Sequence, residues 1–248
     1  MDYPVLIFVS AVLLQWLAAC LGSLASQRRQ DITPEIRPDF SAVQGAILTL
    51  LGLIIGFSFS MATARYDLRR SYEAAEAGAI GTVDLRADLV PTANAAEIRR
   101  RLRRYTDLRI EFFRARREDE IQKIDAEAAT LQRRMWELTV RPAIEQPNSV
   151  TALAVTGMSD LSTAEGNSQA ALRSRIPMLA WGLLFIIAMF ANGMLGYGAR
   201  QMRPKLFFLL PLALGIAFLL VAEIDNPRQG IVHIVPRNLL RARASLGD

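Results

Sequence analysis

Val43-Gln44-Gly45-Ala46-Ile47-Leu48-Thr49-Leu50-Leu51-Gly52-Leu53-Ile54-Ile55-Gly56-Phe57-Ser58-Phe59-Ser60-Met61-Ala62 carries no charged side chain. At about 1.5 Å per residue this run suits about 30 Å of hydrocarbon as one helix. Gly45, Thr49, Gly52, Gly56, Ser60 and Thr63 recur at spacings of four, three, four, four and three, which places them on one helical face. Small residues in that register let helix backbones approach closely in lipid, where no hydrophobic drive brings helices together. A packed hairpin or a dimer interface would use such a stripe, and so would a ring of identical helices. Thr49, Leu53 and Phe57 step by four along an adjacent line, offset from the glycines by about a quarter turn. In a ring whose glycine faces pack on neighbours, that line looks toward the axis. Rings of Leu and Phe there make an apolar constriction that gates by dewetting. Phe ring edges carry partial positive charge and suit a passing anion better than aliphatic groups do. On a helix that simply faces lipid, the same line has no such role.

Three more charge-free apolar stretches lie outward from this one: 5–22, interrupted only by Ser10 and Gln15, then 176–198, then 206–222, with Pro211 inside the last. A bundle tolerates that proline, because neighbouring helices can satisfy the carbonyl it frees. The expected organisation is two transmembrane hairpins, 1–62 and 176–222, flanking a polar domain, 63–175, with a tail at 223–248. Four spans put both termini and the middle domain on one side of the bilayer. Arg65, Arg69, Arg70, Arg173, Arg175, Arg228, Arg237, Arg241 and Arg243 lie on that side; Arg28, Arg29, Arg37, Arg200, Arg203 and Lys205 lie on the other. The excess predicts a cytoplasmic middle domain and cytoplasmic termini. Leu17-Ala18-Ala19-Cys20 has the form of a lipoprotein cleavage site. Met1-Asp2-Tyr3-Pro4 lacks the basic n-region of a secretory signal, so the first span is expected to be retained.

Whole-chain composition agrees. Of 248 residues, 52% are hydrophobic and 21% charged, with a net charge of +5, which excludes a disordered chain. One Cys (Cys20) and one His (His233) exclude a disulfide framework and a four-ligand Cys/His zinc site. They also leave little room for Ser-His or Cys-His catalysis. No phosphate-binding loop, dinucleotide fingerprint or H-E-x-x-H occurs, so no enzyme, cofactor or metal site is expected.

The middle domain reads as all-helical. The second span continues without a breaker to Val90, where Pro91 ends it. Asn94 and Glu97 form a candidate capping pair for the next helix. A charged bend precedes a helix over 121–140 that Pro142 closes. Pro147 opens a last helix, and Pro177 restarts the chain as the third span. Arg99, Arg100, Arg101, Arg103, Arg104, Arg109, Arg114, Arg116 and Arg117 make one helix strongly basic. No recognition fold or stacking platform accompanies them, which argues against nucleic acid. Glu97, Asp107, Glu111, Glu118, Asp119 and Glu120 suit surface pairing at three- and four-residue spacing; anionic headgroups are a further possibility. Trp136 is expected in the domain core, and Trp16 and Trp181 at membrane interfaces. His233 is expected to be structural or exposed. Arg65, Arg69 and Arg70 either concentrate anions at an inner vestibule or mark the cytoplasmic side. Glu223 and Asp225 either bind a cation, pair with those arginines, or end a helix ahead of Pro227.

Gly56-Phe57, then Arg65-Tyr66-Asp67 and Tyr72-Glu73, resemble the second span and cytoplasmic extension of the bestrophin family. Glu223-Ile224-Asp225-Asn226-Pro227 resembles that family's acidic-Asn-Pro segment. The closer likeness is to a bacterial bestrophin-like group. Its string here is Gly52-Leu53-Ile54-Ile55-Gly56-Phe57-Ser58-Phe59-Ser60, continued by Glu76-Ala77-Gly78-Ala79-Ile80-Gly81-Thr82 and Leu85-Arg86-Ala87-Asp88-Leu89. The resemblance implies a homopentamer in a bacterial inner membrane. Thr49, Leu53 and Phe57 would form the neck of a chloride-type anion pore, and Gly45, Gly52, Gly56 and Ser60 would pack around it. Three departures stand out: Gly78 where the pattern more often has Asn, Thr49 in an otherwise apolar neck, and Arg228 and Gln229 where calcium-gated relatives carry acids. Calcium gating is therefore not expected. The competing expectation is a non-conducting membrane scaffold or signalling adaptor acting through the basic helix.

Overall fold

The computed structural model describes residues 3–28, 35–199, 204–226, 228 and 234–247. Arg29, Arg200, Arg203, Pro227 and His233 lie outside the described residues. Eight α-helices follow one another among the described residues: α1 (Tyr3–Arg28), α2 (Arg37–Arg86), α3 (Thr92–Arg114), α4 (Glu118–Glu145), α5 (Ser149–Arg173), α6 (Met178–Gly198), α7 (Pro204–Asp225) and α8 (Arg237–Ser245). No strand occurs among the described residues, as the absence of two-residue alternation predicts. Among the described residues, four segments are long and apolar enough to cross a membrane, within Pro4–Ser26, Arg37–Leu89, Ser149–Gly198 and Phe208–Asp225. The chain divides into two compact units, Met1–Ala64 with Arg175–Val232, and Arg65–Ser174 with His233–Asp248. The 50-residue α2 contributes to both.

In the apolar unit, α1 packs along α6 and α7. Close approach requires glycine at two points. A Cβ on Gly22 would collide with the Gly193 carbonyl, and one on Gly196 with the Ala19 carbonyl. Gln15, which interrupts the first span, is buried and accepts from Asn192 Nδ2 at 3.1 Å. Burial without that partner would leave a polar group stranded in an apolar bundle. Trp181 is buried edge-on against Phe218, at 6.2 Å between ring centroids, rather than facing a membrane interface; Trp16 is exposed. Trp181 falls in register with the buried Leu184, Ala188 and Ala191, and so turns inward.

The helical unit has a core drawn from α2, α3, α4, α5 and α8. On α3 the buried stripe is Ile98, Leu102, Tyr105, Arg109 and Phe112, a run of fours and threes that defines one face. Burying each apolar member contributes roughly 1.5–3 kcal/mol relative to exposure. Segment 234–247 belongs to this core: Leu239 is fully buried, and Arg243 pairs with Asp107 at 2.8 Å.

Several helix ends differ from those the sequence predicts. α2 ends at Arg86, and a short 3-10 turn, Ala87–Leu89, leads to Pro91. Asn94 does not cap α3, which begins at Thr92 after Pro91 with no side-chain cap. Pro142 does not close α4, which continues to Glu145. The two corrections share one cause. Proline has no N–H for the carbonyl four residues earlier, that of Leu138. Asn94 Nδ2 donates to that oxygen at 2.9 Å, so α3 repairs the ladder of α4 and the helix runs on. Pro147 precedes α5, but the cap is Asn148, whose side chain accepts from Val150 and Thr151 in a reciprocal capping box. Trp136 is 40% exposed: the α4 core face is Ile121, Ile124, Ala128, Met135, Thr139 and Pro142, and the next residue after Met135 turns outward by about 100°.

Candidate functional site

Residues 43–62 of α2 have two unlike faces. Leu51, Ser58 and Ala62 are buried in the apolar unit, with Ile47, Leu48, Ile54 and Ile55 partly buried beside them. The other face is uncovered. Nothing lies within 4 Å of a Cβ built on Gly45, Gly52 or Gly56. Thr49 and Ser60 are exposed, and Leu53 and Phe57 are 53% and 64% exposed. Among the described residues the glycine stripe is thus not used for packing within the chain. Glycines that do bring helices together are Gly22 and Gly196, which sequence reasoning passed over. Their signal was small residues clustered in 18–22 and 193–196.

Three hydroxyls along this stretch are satisfied locally. Thr49 Oγ1 donates to the Gly45 carbonyl at 2.9 Å, Ser58 Oγ to Ile54 at 2.9 Å and Thr63 Oγ1 to Phe59 at 3.0 Å. Each bonds one turn back, which lets a polar residue sit on an apolar helix without an outside partner.

Below the apolar run the arginines separate in role. Arg69 is buried and donates from Nε to the Ala171 carbonyl at 3.1 Å and from Nη2 to Ser174 at 2.6 Å. Arg65 Nη1 donates to Ser174 Oγ at 3.2 Å. Both therefore hold the C-terminal end of α5, where carbonyls lack helical partners and cations are favoured. Arg70 is exposed, its guanidinium 6.0 Å from the Tyr66 ring centroid. In the apolar unit Glu223 and Asp225 are buried, and both Asp225 oxygens accept the Ile176 N–H, at 3.1 and 3.0 Å. Asp225 thus holds the backbone just before Pro177 starts α6.

Deeper in the helical unit, Arg109 departs from the solvated basic face expected for it. It is fully buried and pairs with both oxygens of Glu76 on α2, with Glu165 of α5 at 3.7 Å from its Nη1. Its guanidinium carbon lies 4.3 Å from the Phe112 ring centroid. Tyr105 Oη donates to Glu76 at 3.4 Å. Burial opposes the charge on Arg109, but Glu76, Tyr105 and Glu165 outweigh it and hold its pKa above the usual value. Burial pushes the Glu165 carboxyl up, Arg109 works against that, and the Glu76 charge adds to it. The signal for Arg109 was present: it shares the helical stripe of Ile98, Leu102 and Phe112. Four other arginines of α3 form ion pairs within the chain, and Arg103 Nη1 donates to the Leu246 carbonyl at 3.4 Å. Arg99 pairs with Asp84 and Asp88, Arg100 and Arg101 with Glu97, and Arg104 with Glu127. No cluster of three His, Cys, Asp or Glu able to hold a metal occurs among the described residues.

These helices define a multi-pass α-helical membrane protein built on one long helix. Residues 5–239 match the Bestrophin-like domain, and the chain belongs to that family, as its motifs imply. Among solved structures, a variant of a bacterial bestrophin homolog from Klebsiella pneumoniae superposes with a TM-score of 0.68 at 12% identity, covering 98% of this chain and 99% of that one. A bacterial bestrophin homolog from the same organism, solved by Zn-SAD phasing, gives 0.64 at 16% identity, covering 95% and 98%. At such identity the likeness establishes the fold. No curated protein sequence matches the chain.

Proposed function

We propose that the chain is one subunit of an oligomeric anion channel, a pentamer conducting chloride, in which α2 lines the pore. One observation carries this reading. A helix whose one face is buried in its own subunit leaves Gly45, Gly52 and Gly56, and beside them Thr49, Leu53 and Phe57, uncovered. Copies gathered about an axis cover the glycines and turn Leu53 and Phe57 inward as an apolar neck. The spans occupy a bacterial inner membrane with the helical unit in the cytoplasm, following the Lys/Arg distribution. Arg65 and Arg70 then add positive charge on the cytoplasmic side, where it draws anions. The adaptor reading is weakened, because four of the arginines that prompted it, Arg99, Arg100, Arg101 and Arg104, pair with the chain's own carboxylates. Chloride efflux from liposomes holding the purified protein tests the proposal. Phe57→Ala is expected to raise flux several-fold by widening and wetting the neck. No chloride flux from the wild type, together with no effect of Phe57→Ala, would falsify it.

A further inference from the structure

The helical unit holds a polar cavity of about 290 Å³ away from the Thr49–Phe57 line, bounded by Tyr66, Arg70 and Glu73 of α2, by Ile234 and Val235 just before α8, and by Arg237 and Asn238 at its start. Tyr66, Arg70 and Glu73 lie at i, i+4 and i+7 and so share one face of α2. The acid among them is already engaged. Glu73 Oε1 accepts the N–H groups of Asn238 and Leu239, both at 2.9 Å, and Oε2 accepts Asn238 Nδ2 at 2.6 Å. Those donors and the positive end of α8 offset the Glu73 charge. The two guanidinium groups have no such counterpart. Arg70 contacts the Tyr66 ring, and no carboxylate pairs with Arg70 or Arg237 among the described residues.

We propose that this cavity binds a phosphate group, gripped by Arg70 from α2 and by Arg237 from the head of α8. Two planar guanidinium forks match a dianionic tetrahedral oxyanion in charge and in hydrogen-bond geometry. The volume sits at the small end of the range for small-molecule sites, about 300 Å³, which suits inorganic phosphate or a compact phosphorylated molecule. The Tyr66 ring supplies an apolar wall beside Arg70. Because the two arginines stand on different elements, the bound group ties α8 to α2.

The test is titration of full-length protein in detergent with inorganic phosphate at constant ionic strength, read by calorimetry and by the thermal melt. A saturable heat and a rise in Tm are expected. Arg70→Gln and Arg237→Gln should each weaken the apparent affinity about tenfold, the scale of one lost charge-assisted contact. Arg133→Gln, at an exposed arginine of α4, should leave it unchanged. Phosphate-free melts of each variant check that folding is intact. A water-soluble short-chain phosphatidate forms the second arm: if it binds with the same arginine dependence and inorganic phosphate does not, the phosphate belongs to a lipid headgroup. The proposal is overturned if neither probe gives a saturable response, or if both glutamine variants bind as the wild type does. Binding in detergent is independent of conduction, so failure here leaves the channel proposal standing, and the reverse also holds.

Discussion

Asn94 shows how one side chain can decide where a helix ends. Its amide occupies the Leu138 carbonyl that Pro142 leaves without a donor, across 2.9 Å. Asn94→Ala should therefore destabilise the helical unit by about 1 kcal/mol, the cost of an unmet, partly buried acceptor. Pro142→Ala restores the missing N–H, so the same substitution should cost clearly less in that background. A double-mutant cycle by denaturant unfolding reads the difference, and equal costs in both backgrounds would remove the repair role. Glu165 makes the second residue-scale prediction. Its folded pKa lies above the unfolded value of 4.5 because burial disfavours its charge. The fold thus favours the neutral form: that contribution is complete below the unfolded pKa and is lost as pH rises through the folded one. Glu165→Gln keeps a neutral side chain at every pH. Its melts should be higher than the wild type's near pH 8 and show a flatter profile from about pH 4.5 upward. A wild-type slope that persists in the variant would assign the pH dependence elsewhere.

Between elements, the contrast is between two sets of glycines. At Gly196 the carbonyl of Ala19 occupies the space a methyl group would need, so Gly196→Ala must push α1 off α6. Overpacking of this kind costs about 1–3 kcal/mol or more. Gly52 has open space around it in the single chain. Gly52→Ala should therefore leave the subunit's own melt close to wild type, while Gly196→Ala lowers it by several degrees and reduces folded yield. Fluorescence-detected size exclusion after heating separates the two. If Gly196→Ala were silent, the α1–α6 contact would be looser than its geometry states. The buried Gln15–Asn192 bond ties the same pair of helices and explains why a polar residue persists in the first span.

For the whole molecule, the proposal requires that an exposed apolar face be covered by copies of itself. A heterologous, closing contact around an axis does so, and the oligomer mass in detergent is its direct readout. A mass of five chains is expected. Gly52→Leu should convert it to smaller species without loss of helical content, because the added bulk meets a neighbouring subunit and nothing in its own. A wild-type monomer or dimer would leave no ring of copies for Leu53 and Phe57 to face, and a Gly52→Leu pentamer would remove Gly52 from the contact between subunits.

Much of this was legible from local pattern. Charge-free runs of spanning length, prolines at helix starts and a three-and-four spacing of small residues are properties of a segment alone, so the candidate spans, the helices of the middle domain and the two-faced nature of α2 could be read directly, whereas α8 in the C-terminal segment was not. The bestrophin-like motifs added the family. What could not be read were the partners. Arg109 looks like one more surface arginine until Glu76 and Glu165, 33 positions back and far ahead in the chain, close on it. Trp136 looks like core until Met135 takes the inward register, and Gly22 looks ordinary until the Gly193 carbonyl meets it. Periodicity specifies which face of a helix is apolar or close-packing. Which other helix meets that face depends on contacts distant in sequence, and those exist once the chain has folded.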